Sequence, residues 1–240
     1  MIRYSFKIFC VAFSACFCCA GSLLAEDNNP HTDKMMNEKL NLTQEWDKVF
    51  PKSDKVTHRK VSFRNRYGIM LAADLYMPRN VNEKLPAIAV SGPFGAVKEQ
   101  SAGLYAQTMA ERGFLTIAFD PSYTGESGGF PRYVASPDIN TEDFCAAVDY
   151  LSTRDDVDSE RIGIIGICGW GGMAVNAAAI DTRIKATVTS TMYDMSRVNA
   201  NGYFDAMDAD ARYELRKQLN AQRTADAKSG SYALAGGVPD

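Results

Sequence analysis

The stretch Gly166-Ile-Cys168-Gly-Trp-Gly171 holds the residue with the clearest chemical potential, a cysteine between an apolar run and closely spaced glycines. If an apolar strand turns there directly into a helix, the positive end of that helix stabilises a thiolate at the turn. Gly166 and Gly169 accommodate the cramped backbone that such a turn requires. We therefore predict that Cys168 occupies a nucleophile position and that the Gly169 N–H faces a developing oxyanion.

Two other interpretations of this stretch stay open. Shifting the register by two residues puts Trp170 at the nucleophile position, with Cys168 as the small residue before it. That register predicts a chemically inactive turn. In the third interpretation Cys168 is a buried structural cysteine, since a free cysteine commonly packs as a small apolar residue.

A second oxyanion donor is expected in Ser91-Gly-Pro-Phe-Gly95, which leaves an apolar strand upstream of the cysteine. The backbone N–H of Phe94 or Gly95 is the candidate, because the phenylalanine side chain carries no donor. The alternative is that this segment is an ordinary loop.

A base and an acid for the nucleophile are harder to find. No histidine follows Cys168, and the two in the chain, His31 and His58, both precede it. We interpret both as surface polar residues. Asp194, which follows the last apolar strand, is a weak acid candidate, because no histidine follows it for its carboxylate to orient.

The surrounding pattern predicts an α/β domain in which strands and helices alternate. Two extended segments, 56–64 and 69–76, are joined by a turn at 65–68 and form an antiparallel hairpin. Four further strands are predicted at 87–91, 114–119, 161–167 and 184–191. Helices are predicted at 102–112, 141–151, 171–180 and 203–223. The last helix has one apolar stripe, which suits a cap over a cleft.

Over residues 55–200 the chain resembles the α/β-hydrolase superfamily, in particular its dienelactone hydrolase and X-Pro dipeptidyl-peptidase-like branches. The turn at Cys168 is similar to Gly-x-Cys-x-Gly-Gly of the first branch and to Gly-x-Ser-x-x-Gly of the second. The segment Asp120-Pro-Ser-Tyr-Thr-Gly-Glu-Ser-Gly128 resembles a structural loop that follows the fourth strand. The resemblance implies hydrolysis of an ester, lactone or peptide-like acyl bond in a small molecule, without a cofactor.

Measured against that family, the chain is expected to be truncated at its C-terminus. The fold class is then a mostly parallel sheet with an N-terminal hairpin, lacking the last two strands, with the start of a cap after residue 195. The strand at 186–190 becomes an open sheet edge, which invites self-association. The chain itself is expected to be inactive or weak because the acid and histidine are missing. The competing hypothesis is a non-catalytic protein that binds a small ligand or a partner.

The N-terminus has the layout of a secretory signal at residues 1–25, with Arg3 and Lys7 before an uncharged apolar run. We predict a secreted or periplasmic protein that leaves the membrane after cleavage, unless Cys16 is lipidated. Residues 26–54 are predicted to form an N-terminal helical appendage, with a short amphipathic helix at 33–50. The domain then occupies 55–240.

Composition excludes several other classes of protein. The net charge of −3 and the absence of a basic run argue against a nucleic-acid partner. Outside the signal only Cys145 and Cys168 remain, too few for a disulfide scaffold, and Cys145 is predicted to pack in a helix. No spacing of His, Cys or carboxylates indicates a metal site.

Overall fold

The computed structural model describes residues 39–235, and the predicted signal at 1–25 lies outside this range. The strands of the described chain are β1 (Val56–Arg64), β2 (Met70–Pro78), β3 (Leu85–Ser91), β4 (Leu115–Phe119), β5 (Val157–Ile167) and β6 (Ile184–Ser190). Its helices are α1 (Ser101–Ala110), α2 (Pro137–Ser152), α3 (Trp170–Ile180), α4 (Met195–Asn201) and α5 (Ala209–Ser229).

The strands form one sheet in the order β1-β2-β4-β3-β5-β6. β1 pairs antiparallel with β2, and β2 pairs antiparallel with β4. All other pairs are parallel. The hairpin turn contains Gly68 at φ 83°, and the Gly68 N–H donates to the carbonyl of Asn65 at 3.0 Å. The predicted fold class, a mostly parallel α/β sheet that begins with an antiparallel hairpin, is confirmed.

Hydrophobic residues cover both faces of the sheet. On one face, Phe144 and Leu151 of α2 and Met173 of α3 pack against apolar side chains of the strands. On the other face, the small residues of α1 pack beside Phe50 and Val90. Burial on both faces explains why the central strands are continuous apolar runs.

The predicted helix over residues 33–50 is wrong for its described part. Residues 39–50 contain no helix and run irregularly along the sheet. Trp46 Nε1 donates to the carbonyl of Phe50 at 3.0 Å, and Phe50 is buried against the face that α1 covers. The apolar spacing therefore reflects separate contacts of an extended segment with the domain, not one face of a helix.

The last part of the described chain is only loosely attached to the domain. β6 pairs with β5 alone and lies at the sheet edge, as predicted, with Val188 53% exposed. The helix predicted at 203–223 begins instead at Ala209, where the Asp208 carboxylate accepts from the Ala211 N–H at 2.8 Å. No residue of α5 is buried, so in the described chain this helix does not cover a cleft as predicted. Its apolar stripe is narrow and its sequence is mostly polar, which leaves little surface for packing.

Candidate functional site

Cys168 lies at the apex of the turn between β5 and α3. Its φ is 56°, a conformation that is rare for a residue with a side chain. The Cys168 N–H donates to the carbonyl of Ser190 at 2.8 Å, and its carbonyl accepts from the Gly171 N–H at 3.0 Å. Trp170 is already the first residue of α3 and is 4% exposed. The strained position is therefore Cys168, and the shifted register with Trp170 at the apex does not match this geometry.

Glycines make the turn sterically feasible. A Cβ on Gly166 would lie 2.4 Å from the carbonyl oxygen of Trp170 and 2.7 Å from the Cβ of Ala174. A Cβ on Gly169 would lie 2.5 Å from Cδ2 of Phe94. β5 and α3 therefore approach each other more closely than any larger residue at 166 allows.

The loop after β3, residues 92–100, lies directly against this turn and is called the Phe94 loop. The ring of Phe94 packs edge-on against that of Trp170, with centroids 4.7 Å apart, and also touches Gly169. Among residues 39–235 nothing accepts a hydrogen bond from the N–H of Phe94, Gly95 or Gly169. Gly169 and Phe94 thus lie at the turn, and all three predicted oxyanion donors have unused hydrogen-bonding capacity.

Asp194 is close to the turn but already has another role. It is the N-cap of α4, and its Oδ1 accepts from the Arg197 N–H at 2.9 Å and from the Ser196 hydroxyl at 2.6 Å. The Ser196 hydrogen bond, followed by that of the Arg197 backbone, lowers the pKa of this exposed carboxyl. In the described chain Asp194 therefore acts as a helix cap, and no histidine accompanies it.

The one histidine of the described range is not where a base would be useful. His58 belongs to β1, at the opposite end of the sheet from β6. Its Nε2 lies 2.7 Å from Oδ1 of Asp74, and its side chain is 12% exposed. The interpretation of His58 as a surface residue is therefore wrong, because it belongs to a largely buried ionic cluster.

An apolar cleft of about 390 Å³ opens beside the turn. It is bounded by α3, by the start of α2 and by the segment from β6 into α4. Phe94 and Gly169 line it, and so do three methionines, Met173, Met192 and Met195. The volume falls in the range of small-molecule sites.

Sequence reasoning missed the ionic cluster behind the Phe94 loop. The Lys98 ammonium, 0% exposed, lies 2.9 Å from Oδ2 of Asp120, 2.7 Å from Oε2 of Glu126 and also beside Glu99. Burial alone would lower the pKa of Lys98, but Asp120, Glu126 and Glu99 raise it. For the carboxylate of Glu126 burial acts in the opposite direction and would raise the pKa, yet hydrogen bonds from Lys60 and Lys98 lower this pKa to about 2.

This cluster extends to the segment before β1. Lys60 pairs with Asp47 at 2.8 Å, and the buried Lys48 pairs with Asp74 at 2.9 Å. The Lys98 N–H donates to Asp120 Oδ1 at 2.8 Å. The cluster thus fixes the end of the Phe94 loop to the loop after β4. Asp74, a carboxylate within the apolar strand β2, was the one sequence signal, because a buried charge requires a partner.

The remaining sequence candidates have structural roles. Cys145 is buried in α2, and burial, with nearby Asp181 and Glu142, raises the pKa of its thiol to about 11. Cys145 and Cys168 are both free thiols. Within residues 39–235 no three His, Cys, Asp or Glu residues are arranged to hold a metal. No helix in that range is long and apolar enough to cross a bilayer.

Comparison with known families gives one match that covers most of the chain. The model of the X-Pro dipeptidyl-peptidase (S15 family) matches residues 67–234. This range includes the turn at Cys168, the Phe94 loop and the cleft.

Three curated relatives show how far the similarity extends. Uncharacterized protein PA2218 of Pseudomonas aeruginosa is 68% identical over 198 residues, 82% of this chain and 53% of its own. Uncharacterized protein YcjY of Escherichia coli is 45% identical over 182 residues, 74% of this chain and 59% of its own. Thiohydrolase aneE of Aspergillus aculeatus is 31% identical over 137 residues, 57% and 42% of the two chains. The chain thus spans about half the length of the curated relatives it matches.

Solved structures agree with the fold. The crystal structure of PA2218 has a TM-score of 0.81 at 65% identity, over 85% of this chain and 66% of that one. The α/β hydrolase GrgF from Penicillium has a TM-score of 0.62 at 22% identity, over 74% and 57% of the two chains. The second likeness supports the fold alone.

Proposed function

Since this chain belongs to the X-Pro dipeptidyl-peptidase (S15) family of α/β hydrolases, we propose that it carries the nucleophile half of a cysteine-dependent acyl hydrolase. The bond attacked is an ester, thioester, lactone or peptide-like acyl bond. The observation that carries the proposal is the strained backbone of Cys168 beside unused N–H groups. The thioester is included because aneE, a relative over 57% of the chain, is named a thiohydrolase.

The first half of the reaction needs only groups near the turn. The Cys168 thiolate attacks the acyl carbon, and the carbonyl electron pair moves to the oxygen, which the Gly169 N–H and that of Phe94 or Gly95 stabilise. Collapse of this adduct breaks the bond to the leaving group, which departs with its electron pair and takes a proton from solvent. The product is an acyl group on the sulfur of Cys168.

The second half needs water to attack that thioester, which releases the carboxylic acid and restores the thiol. A general base speeds this step, and the described residues bring no histidine to Cys168. We therefore infer fast acylation followed by slow release in the 240-residue chain.

A burst assay with p-nitrophenyl acetate tests this scheme on the 240-residue chain. We expect a burst of about one equivalent of p-nitrophenol per chain, then turnover at least tenfold slower. Cys168→Ala abolishes the burst, whereas the matched variant Cys145→Ala keeps it. A burst that survives Cys168→Ala, or that is lost equally in Cys145→Ala, would refute the proposal.

A second candidate function is non-catalytic binding in the apolar cleft. The cleft volume favours it, and so does the lack of a histidine near the cleft among residues 39–235. It predicts no burst in this assay and stoichiometric retention of the intact ester, which equilibrium dialysis detects.

We also propose that the protein is exported, because residues 1–25 have the layout of a secretory signal. N-terminal sequencing of the mature protein tests this, with Glu26 as the expected first residue. A lipid-modified Cys16 at the N-terminus would instead indicate a lipoprotein, and a retained Met1 would contradict export by cleavage.

A further inference from the structure

We propose that the cleft beside Cys168 selects uncharged, flexible acyl chains, and that Met192 and Met195 set the accepted length. This inference rests on the proposed function, because it names the substrate class of the same site. Gly169, the residue next to the nucleophile, lines the cleft together with residues of α3. The cleft therefore adjoins the turn that carries Cys168.

The walls of the cleft favour a flexible hydrocarbon. Met192 packs on α3, since a Cβ added to Gly171 would lie 2.7 Å from the Cγ of Met192. Met195 packs on Gly169, where an added Cβ would lie 3.0 Å from the Cγ of Met195. Methionine side chains adapt to the shape of a ligand, so walls of this kind accommodate a flexible chain in several conformations.

Charge at the cleft argues against an ionised acyl group. Among the described residues that line it, Asp194 is the one charged residue, and its carboxylate is exposed. No lysine or arginine in the described lining can pair with a carboxylate on the substrate. An acyl chain with a terminal negative charge would therefore lose part of its hydration, with only neutral partners such as Asn176, Ser196 and Asn199 to replace it.

The volume limits the chain length. Taking about 30 Å³ for each water-sized group, a 390 Å³ cleft holds about a dozen such groups at most. Allowing for imperfect filling, we expect the optimum near six to eight carbons, on the order of half to two thirds of that capacity. Each methylene buried before this limit is worth up to about fourfold in binding.

Labelling by n-alkyl methanethiosulfonates tests the cleft without requiring hydrolysis. The Cys168 thiolate attacks the alkyl-bearing sulfur, a disulfide forms, the S–SO2 bond breaks and methanesulfinate leaves with the electron pair. The rate is measured from methyl to dodecyl on the peptide that carries Cys168, and each rate is divided by that of glutathione. We expect this ratio to rise at least tenfold from methyl to hexyl and to stop rising beyond octyl.

Two variants assign the effect to the cleft. Met192→Trp fills it and is expected to remove the dependence on chain length. Val188→Trp places the same bulk on the exposed part of β6, outside the cleft lining. This variant is expected to keep the dependence on chain length. A reagent with a terminal carboxylate is expected to react at least tenfold more slowly than its neutral counterpart of equal length, after the same correction.

The possible outcomes are distinct. A ratio that changes less than twofold, a dependence that survives Met192→Trp, or failure of every reagent to label native Cys168 would overturn the inference. A chain-length dependence without any ester burst would leave the cleft assignment intact and refute the proposed hydrolysis.

Discussion

Replacing Lys98 by methionine tests whether the buried ionic cluster holds the Phe94 loop in place. The Lys98 ammonium and Asp120 are both 0% exposed, and their charged atoms are 2.9 Å apart. Removing one member of a buried ion pair typically costs about 3–5 kcal/mol, because the other charge stays buried without its partner. Asp120 keeps hydrogen bonds from the N–H groups of Lys98 and Glu126, so we expect the lower end, about 3 kcal/mol.

Urea unfolding followed by circular dichroism measures this loss. A matched control is Lys217→Met, which makes the same change at an exposed lysine 3.4 Å from Glu214. We expect that control to cost at most about 0.5 kcal/mol. A domain of this kind has a free energy of unfolding of about 5–15 kcal/mol, so the Lys98 variant should still fold. If the two variants lose the same stability, to within about 0.5 kcal/mol, the cluster does not stabilise the fold as argued.

Three further predictions concern the ionic cluster, the turn at Cys168 and the acid candidate Asp194. The pKa of Glu126 is lowered from 4.5 to about 2, so its ionised form contributes stability that is complete above pH 4.5 and is lost as pH falls toward 2. The urea midpoint of Glu126→Gln should therefore depend less on pH in that window than the midpoint of the unmodified protein. The same pH dependence in both proteins would contradict this. Gly166→Ala should lower the free energy of unfolding in urea by about 1–3 kcal/mol, because its Cβ meets the Trp170 carbonyl. The control Gly172→Ala should be neutral or stabilising, because its Cβ meets no described atom closer than 3.5 Å. Equal effects of the two variants would refute the tight turn. Asp194→Asn keeps a good helix cap, so the rate of the p-nitrophenol burst should change by less than twofold. A tenfold loss of that rate would identify Asp194 as catalytic.

The sequence was sufficient for the central architecture because central strands such as β3 and β4 are apolar runs. All six described strands were predicted, and their boundaries differ by a few residues from those observed, for example at β5, which begins at Val157 instead of residue 161. The turn at Cys168 was also predictable, since the spacing of Gly166 and Gly169 around one reactive residue is a local pattern. Local patterns are what a single sequence displays most clearly.

Features that depend on distant contacts were not predictable. The ionic cluster joins Lys48, Lys60, Lys98 and Glu126, which come from different segments of the chain and show no shared spacing. The segment at 39–50 has helix-like apolar spacing, but its contacts with the sheet and with α1 determine an irregular path. The catalytic roles of Cys168, Gly169, Phe94, Gly95 and Asp194 stay predictions, because position alone does not establish reactivity.

The central claim is that Cys168 itself becomes acylated, and one measurement tests it most directly. The 240-residue chain is mixed with p-nitrophenyl hexanoate, quenched in acid within the burst, digested and examined by mass spectrometry. We predict a hexanoyl group on the peptide that carries Cys168, at close to one per chain, and none on the peptide that carries Cys145. An unmodified Cys168 peptide, or a hexanoyl group on another residue that persists in Cys168→Ala, would contradict the account.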